Sequence, residues 1–106
     1  MAEHPLKTMQ KLDPALMKHL DECQDLFYGE GALPKKVKLL IAMAFDAAHG
    51  ADRGVLALAR AAMREGATKA EIAETIRVAY HLTGVGTIYT ASQGLRELVA
   101  ETDPII

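Results

Sequence analysis

The chain has 106 residues, half of them apolar and a quarter charged, with a formal net charge of −2, which is typical of one soluble globular domain. Charges of both signs are scattered without a basic patch, and no stretch reaches the ~20 apolar residues that span a bilayer, so we expect neither a nucleic acid nor a membrane as partner. A single cysteine, Cys23, excludes an internal disulfide and a Cys-x-x-Cys pair.

The sequence predicts an N-terminal arm over residues 1–12, a helical domain over residues 13–101 and a C-terminal tail over residues 102–106. Pro5 and the lack of periodic apolar residues predict that the arm is extended as far as Gln10. No signal-peptide pattern is found, so we expect the protein in the cytoplasm. A domain of this size buries only about two-thirds of the surface of its unfolded chain, and such chains often gain stability by forming oligomers.

Local signals place the first two predicted helices. Asp13 and Pro14 mark the start of the first, because Asp is a favoured N-cap residue and Pro is tolerated at the first helical position. Pro34 starts the second, which is apolar nearly all round over residues 37–48, and this pattern predicts a central, buried helix. Gly50 ends it. The apolar stripe of the first helix consists of Leu16, Leu20, Cys23 and Phe27.

The third predicted helix runs from about Asp52 to Arg64, and Gly66 is placed for a left-handed C-terminal cap. Thr68 and Glu71 have the spacing of a capping box, which starts the fourth helix. The fourth helix is predicted to continue its inner face through Ile72, Ile76, Ala79 and Tyr80.

A fifth helix is predicted over residues 87–100, after an interruption at Gly84 and Gly86. No strand pattern, internal repeat or low-complexity segment is found. We therefore predict an all-α fold of about five helices, a bundle that is completed by oligomerisation.

One segment of the chain carries a family signal. An alanine- and leucine-rich helix ends at Gly50, an EGAT element follows at residues 65–68, a KAEIAE segment at residues 69–74, and then the glycine pair. Residues 34–91 thereby resemble the carboxymuconolactone decarboxylase family, whose fold is also called AhpD-like. The resemblance implies an all-helical bundle, a trimer or hexamer, and active sites near the subunit interfaces.

The redox branch of that family uses Cys-x-x-Cys, a His four residues after the second Cys, and an upstream Glu. One thiolate attacks a peroxide, and the other resolves the sulfenic acid as a disulfide. Aligned on Gly50 and the EGAT element, the cysteine positions fall on Ala51 and Gly54, the His position on Leu58 and the Glu position on Leu39. The resemblance thus implies vestigial redox positions and argues against thiol peroxidase activity. The decarboxylase branch keeps a His at the position of Leu58, so this chain departs from that branch too.

The remaining polar residues predict a catalytic acid–base group. Asp46 lies in the otherwise apolar second helix, and His49 follows three residues later on the same helical face. A carboxylate can hold an imidazole in the orientation that proton transfer needs, so the two are predicted as a pair, with His81 as a further candidate. In the alternative interpretation, Asp46 faces water or a subunit seam, and the histidines are ordinary surface or helix-end residues.

Three other residues are predicted to bind substrate. The guanidinium of Arg53 suits a two-pronged hydrogen bond to a substrate carboxylate, and the hydroxyls of Tyr80 and Tyr89 suit a cleft or pocket. In the alternative interpretation, Arg53 is an exposed charge and Tyr89 packs in an interface.

Two functions remain open. The first is an enzyme without metal or cofactor, since no cluster has metal-ligand spacing, that acts on a small organic acid by decarboxylase- or lactone-type chemistry. The second is a non-catalytic oligomeric helical protein that binds a small ligand or a partner. Convergence of Asp46, His49 and His81 on one concave pocket favours the first function, and their scattering over the surface favours the second.

Overall fold

The computed structural model describes residues 6–99, which contain six helices and no strand, so the all-α fold class is confirmed. The described residues belong to two units, one that ends at Glu30 and one that begins at Gly31. The predicted tail at residues 102–106 lies outside the described residues. The helices are α1 Lys7–Leu12, α2 Pro14–Tyr28, α3 Lys35–Ala48, α4 Asp52–Arg64, α5 Lys69–Thr83 and α6 Gly86–Gly94.

The first unit contains α1 and α2. The prediction of an extended arm is wrong for α1, because KTMQKL consists mostly of good helix formers although it lacks a long apolar stripe. α2 starts as predicted, and the Asp13 carboxylate accepts a hydrogen bond from the Leu16 N–H at 3.1 Å. Met17 is the one buried residue among the described residues of this unit. Leu16, Leu20 and Phe27 of the predicted stripe are 41%, 41% and 59% exposed.

The core of the second unit lies where α3, α4, α5 and α6 pack on one another. α4 contributes Val55, Ala59 and Ala62, which recur every three or four residues and are fully buried. α3 contributes Met43 and Ala47. Most of these side chains are small.

Two predicted helix ends are confirmed. Gly50 and Gly66 have φ values of 80° and 99°, a region that residues with a side chain rarely adopt. After α3, the Ala51 N–H donates to the carbonyl of Asp46 at 2.9 Å, and after α4 the Ala67 N–H donates to the carbonyl of Ala62 at 2.9 Å. Both bonds belong to the Schellman motif, which satisfies carbonyls at a helix end.

The capping box at the start of α5 is also confirmed. The Thr68 hydroxyl accepts from the Glu71 N–H at 3.1 Å, and the Glu71 carboxylate accepts from the Thr68 N–H at 2.9 Å. Lys36 of α3 donates to the same carboxylate at 3.0 Å. The Thr68 N–H first, and then Lys36, hold the pKa of Glu71 below its usual value of 4.5.

Two other predictions need correction. α3 is not buried all round, because Ile41 and Phe45 are 43% and 62% exposed while Met43 is not exposed at all. α6 ends at Gly94 and not at residue 100, which lies outside the described residues. Gly94 is a poor helix former, and the chain continues after it as turns. In these turns the N–H groups of Leu98 and Val99 donate to the carbonyl of Leu95.

Candidate functional site

The side chain of Asp46 leaves α3 and lies against Gly54, the third residue of α4. A Cβ built on Gly54 would overlap the carboxylate, with the Asp46 Cγ only 2.8 Å away. Asp46 is half-buried, and within residues 6–99 its carboxylate has no hydrogen bond or ion pair. Negative charge is favourable at this place, because the first turn of a helix presents free N–H groups.

Asp46 contacts both positions at which the family resemblance places a cysteine. Its carbonyl accepts the Ala51 N–H, and its carboxylate covers Gly54. Ala51 is the N-cap residue of α4, so the two positions lie three residues apart at a helix start. Of the other two vestigial positions, Leu39 is 6% exposed in the core and Leu58 is half-buried on α4.

The predicted hydrogen-bonded pair of Asp46 and His49 is not present in the structure. His49 ends α3, and its Nδ1 donates to the carbonyl of Phe45 at 2.8 Å, because a carbonyl can only accept. The imidazole stacks on the Phe45 ring, with centroids 6.4 Å apart and an interplanar angle of 13°. In the neutral ring Nε2 is then an acceptor, and the residue is exposed.

The other predicted site residues lie on the surface of the second unit. Arg53 is exposed in the first turn of α4, next to Gly54. Tyr80 and His81 are exposed on α5, and Tyr89 on α6 is 71% exposed. Within residues 6–99, none of these four side chains makes a hydrogen bond or an ion pair. Their roles in catalysis and binding stay predictions.

An apolar groove of about 420 Å³ lies between α3 and α5. None of the six residues predicted for catalysis or substrate binding lines it. The structure therefore does not bring Asp46, His49 and His81 together at this groove, and by this criterion the non-catalytic function is favoured here. Its two polar residues, Thr75 and Thr83, donate their hydroxyls to the carbonyls of Glu71 at 2.8 Å and Ala79 at 2.6 Å. The walls therefore offer a ligand little besides apolar surface. The large apolar members of the lining that are exposed are Ile41, Phe45, Val78 and Leu82.

The groove was not predicted from the sequence, although a signal was present. Ile41 and Phe45 are four residues apart on α3, and Val78 and Leu82 are four residues apart on α5. Each pair therefore forms a second apolar stripe beside the one that faces the core.

The hydroxyls of Thr83 and Thr87 join α5 to α6. Since Thr83 donates its one proton to the Ala79 carbonyl, Thr87 is the donor of the hydrogen bond between the two hydroxyls. Thr87 is 2% exposed, and Gly84 and Val85 connect the two helices between the threonines. This short chain of bonds satisfies a buried hydroxyl at the helix junction.

Cysteine and metal chemistry have few candidate residues in the described structure. The Sγ of Cys23, the one cysteine of the chain, lies 3.6 Å from Nε2 of His19 on α2. Among the described residues no group of three or more His, Cys, Asp or Glu side chains is placed to hold a metal ion. Within the same residues, no helix is long and apolar enough to cross a membrane.

Comparison with family models matches residues 14–97 to the carboxymuconolactone decarboxylase family. The match covers most of the chain, so the chain belongs to this family, and the resemblance of its sequence is confirmed. It is a member with a single cysteine and therefore without a Cys-x-x-Cys pair. No curated protein and no solved structure matches the chain.

Proposed function

We propose that this chain carries out acid–base chemistry, of decarboxylase or lactone type, on a small organic acid. The observation that carries the proposal is the Asp46 carboxylate, which lies against Gly54 where the family resemblance places a cysteine. The Asp46 carboxylate, which can take up and release a proton, thus lies where the redox branch has a cysteine thiol. The single cysteine of the chain lies on α2 and has no second thiol to pair with.

Asp46 is proposed as the group that transfers the proton. When a carboxylate leaves as CO₂, the carbon that remains keeps the electron pair and has to receive a proton. In this proposal Asp46 takes a proton from water, passes it to that carbon and returns to its carboxylate form. Arg53 lies in the first turn of α4, next to Gly54, and is exposed, which supports the proposal that it binds the substrate carboxylate. A carboxylate and a guanidinium near one helix start then hold the substrate at both ends.

The site is completed by a neighbouring subunit in this proposal. His49 has an exposed imidazole at the end of α3. His81, Tyr80 and Tyr89 are exposed on the single chain and come to line the pocket when copies assemble as a trimer or hexamer. No metal or cofactor is required by this chemistry.

A thermal-shift screen of small carboxylic acids and lactones tests the proposal. A ligand that binds the folded state raises the melting temperature by mass action. We expect the shift in the wild type, its loss in Arg53→Gln, and loss of substrate turnover, followed by NMR, in Asp46→Asn. Asp52→Asn is the matched control, because it removes the same charge from the same helix start. Full turnover by Asp46→Asn would overturn the proposal.

A second candidate function, the non-catalytic oligomeric protein, is favoured by the apolar groove. Four large apolar side chains are exposed together, and a contiguous exposed apolar patch commonly marks an interaction site. Charges of both signs occur on α3 and α5 close in sequence to lining residues, namely the Lys36–Glu71 pair at 3.0 Å and the exposed Glu74 and Arg77. Charges of mixed sign suit a second copy of the same chain better than a strongly charged partner.

Light scattering measures the oligomeric state of the wild type and of two matched variants, and so tests whether copies of the chain assemble at the groove. Leu82 in the groove is 75% exposed, and Leu26 on α2 is 77% exposed. If copies meet at the groove, Leu82→Ser dissociates the oligomer and Leu26→Ser does not. A wild type that remains monomeric at high concentration, or equal effects of the two changes, contradicts an interface at this groove.

A further inference from the structure

We propose that positions 46 and 54 are a matched pair that shares one space. Gly54 is the positioning residue that admits the Asp46 carboxylate, and the carboxylate in turn excludes a thiol from position 54. The catalytic meaning of the pair rests on the function proposed above, whereas its geometry does not. Acid–base chemistry and thiol chemistry are then mutually exclusive at the start of α4.

The overlap involves one carboxyl oxygen and the carbon that carries it. A Cβ on Gly54 would meet both Oδ2 and Cγ of Asp46, while the Asp46 Cβ, at 3.5 Å, stays in ordinary contact. Relief therefore requires rotation about the Cα–Cβ bond of Asp46. Such a rotation swings the carboxylate away from α4, so a side chain at position 54 removes the charge from the site.

The backbone does not explain the glycine at position 54. Within the described residues, the glycines with positive φ are Gly50, Gly66 and Gly84, so Gly54 adopts a conformation that any residue tolerates. A glycine in a helix is less stable than an alanine. The space that Asp46 occupies is the remaining reason for a glycine here. Gly86, also helical, has no such neighbour, and nothing lies within 4 Å of its added Cβ.

A double-mutant cycle tests the pair through the equilibrium constant for unfolding in urea. In an Asp46→Ala background, Gly54→Ala lowers this constant roughly two- to five-fold, as expected for Gly→Ala in a helix. In the wild type the same substitution raises it, because the carboxylate is displaced. Gly86→Ala is the matched control and has the same effect in both backgrounds. Equal effects of Gly54→Ala in the two backgrounds overturn the proposal.

Substrate turnover shows whether the matched pair and the proposed function succeed or fail independently of each other. Gly54→Ala keeps the carboxylate of Asp46 but moves it, so we expect it to lose substrate turnover as fully as Asp46→Asn does, while Gly86→Ala keeps turnover. If no acid or lactone acts as a substrate, the function fails and the sign change in the cycle still stands. If turnover needs Asp46 but the cycle shows no coupling, the matched pair alone fails.

Introducing cysteines at positions 51 and 54 tests directly whether the Asp46 carboxylate hinders thiol chemistry there. In a Cys23→Ser background, Ala51→Cys/Gly54→Cys is compared with the same pair plus Asp46→Ala. With oxidised glutathione, the two protein thiols lose two electrons and two protons and form a disulfide, and the glutathione disulfide takes them up as two thiols. Thiol counts and intact mass follow the reaction. We expect at least ten-fold faster oxidation with Asp46→Ala, and no gain from that change would show the proposal to be wrong.

Discussion

The two sides of α3 both carry apolar side chains, but one side is buried in the core and the other is exposed. Met43 and Ala47 on one side are 0% and 1% exposed, and they pack in the core with α4. Ile41 and Phe45 on the other side are 43% and 62% exposed along the groove beside α5. An apolar side chain in the sequence therefore indicates a surface that can be buried. It does not indicate whether another part of the same chain buries it.

The polar exception of α3 lies on the closed side. Asp46 packs against Gly54 of α4, and none of the ionisable side chains predicted for the site lines the groove on the other side. A carboxylate held among packed helices has a defined position, which proton transfer needs. The open side lacks such groups and suits assembly.

Truncating a side chain on each side of α3 should give the largest difference, which is a difference in the free energy of unfolding. Met43→Ala removes a fully buried side chain, and we expect a loss of about 2–5 kcal/mol in the free energy of unfolding. Phe45→Ala removes a larger but mostly exposed side chain, and in the monomeric chain we expect less than ~1 kcal/mol. Urea unfolding at low protein concentration measures both. Comparable losses would show that the groove is covered within the monomer.

A change at Gly94 tests how tightly the closed side is packed. A Cβ at Gly94 would lie 2.9 Å from Cβ of Val55 and would also crowd the carbonyl oxygen of Asp52. Backbone cannot give way as a side-chain tip can, so we expect Gly94→Ala to cost about 1–3 kcal/mol of unfolding free energy. Gly86→Ala, with open space, should be neutral or stabilising. If the two substitutions behave alike in thermal unfolding, α6 is not packed this closely on α4.

The hydroxyl of Thr87 provides a smaller test of the buried region. Thr87→Val keeps the shape of the side chain and removes the donor of the bond to Thr83, so we expect a loss of about 1 kcal/mol. Thr90 is half-buried on α6 and makes no side-chain hydrogen bond within residues 6–99, so Thr90→Val serves as the control. Chemical denaturation of the two variants measures the difference. A larger loss for Thr90→Val would contradict the assignment.

The smallest effect is expected at Glu71, where α3 and α5 are joined at their N-terminal ends. The folded state lowers the pKa of Glu71, so its contribution to stability is complete above the usual pKa of 4.5 and is lost as the pH falls through the lowered value. The melting temperature of the wild type should therefore fall more steeply on acidification below about pH 4.5 than that of Glu71→Gln. Glu74→Gln, on the exposed side of α5, should keep the wild-type slope. An unchanged slope in Glu71→Gln would contradict this account.

Local signals predicted most of the helix boundaries. The Asp13 cap, the Thr68–Glu71 capping box and the Gly66 turn each depend on residues within five positions of one another, so the sequence contains all their partners. α1 and the end of α6 were predicted wrongly. At both places the signal is weak, since α1 has no apolar stripe and α6 stops at a lone Gly94.

The sequence by itself determined the fold class, the family and the absence of a cysteine pair, and it singled out Asp46 as the unusual carboxylate of an apolar helix. It paired that carboxylate with His49, a neighbour on the same helix. Only the tertiary structure decided that His49 bonds to Phe45 and that Asp46 meets Gly54. The physical reason is that hydrogen bonds within a helix follow its period, whereas contacts between helices depend on the distance and angle at which small side chains let α3 and α4 pack.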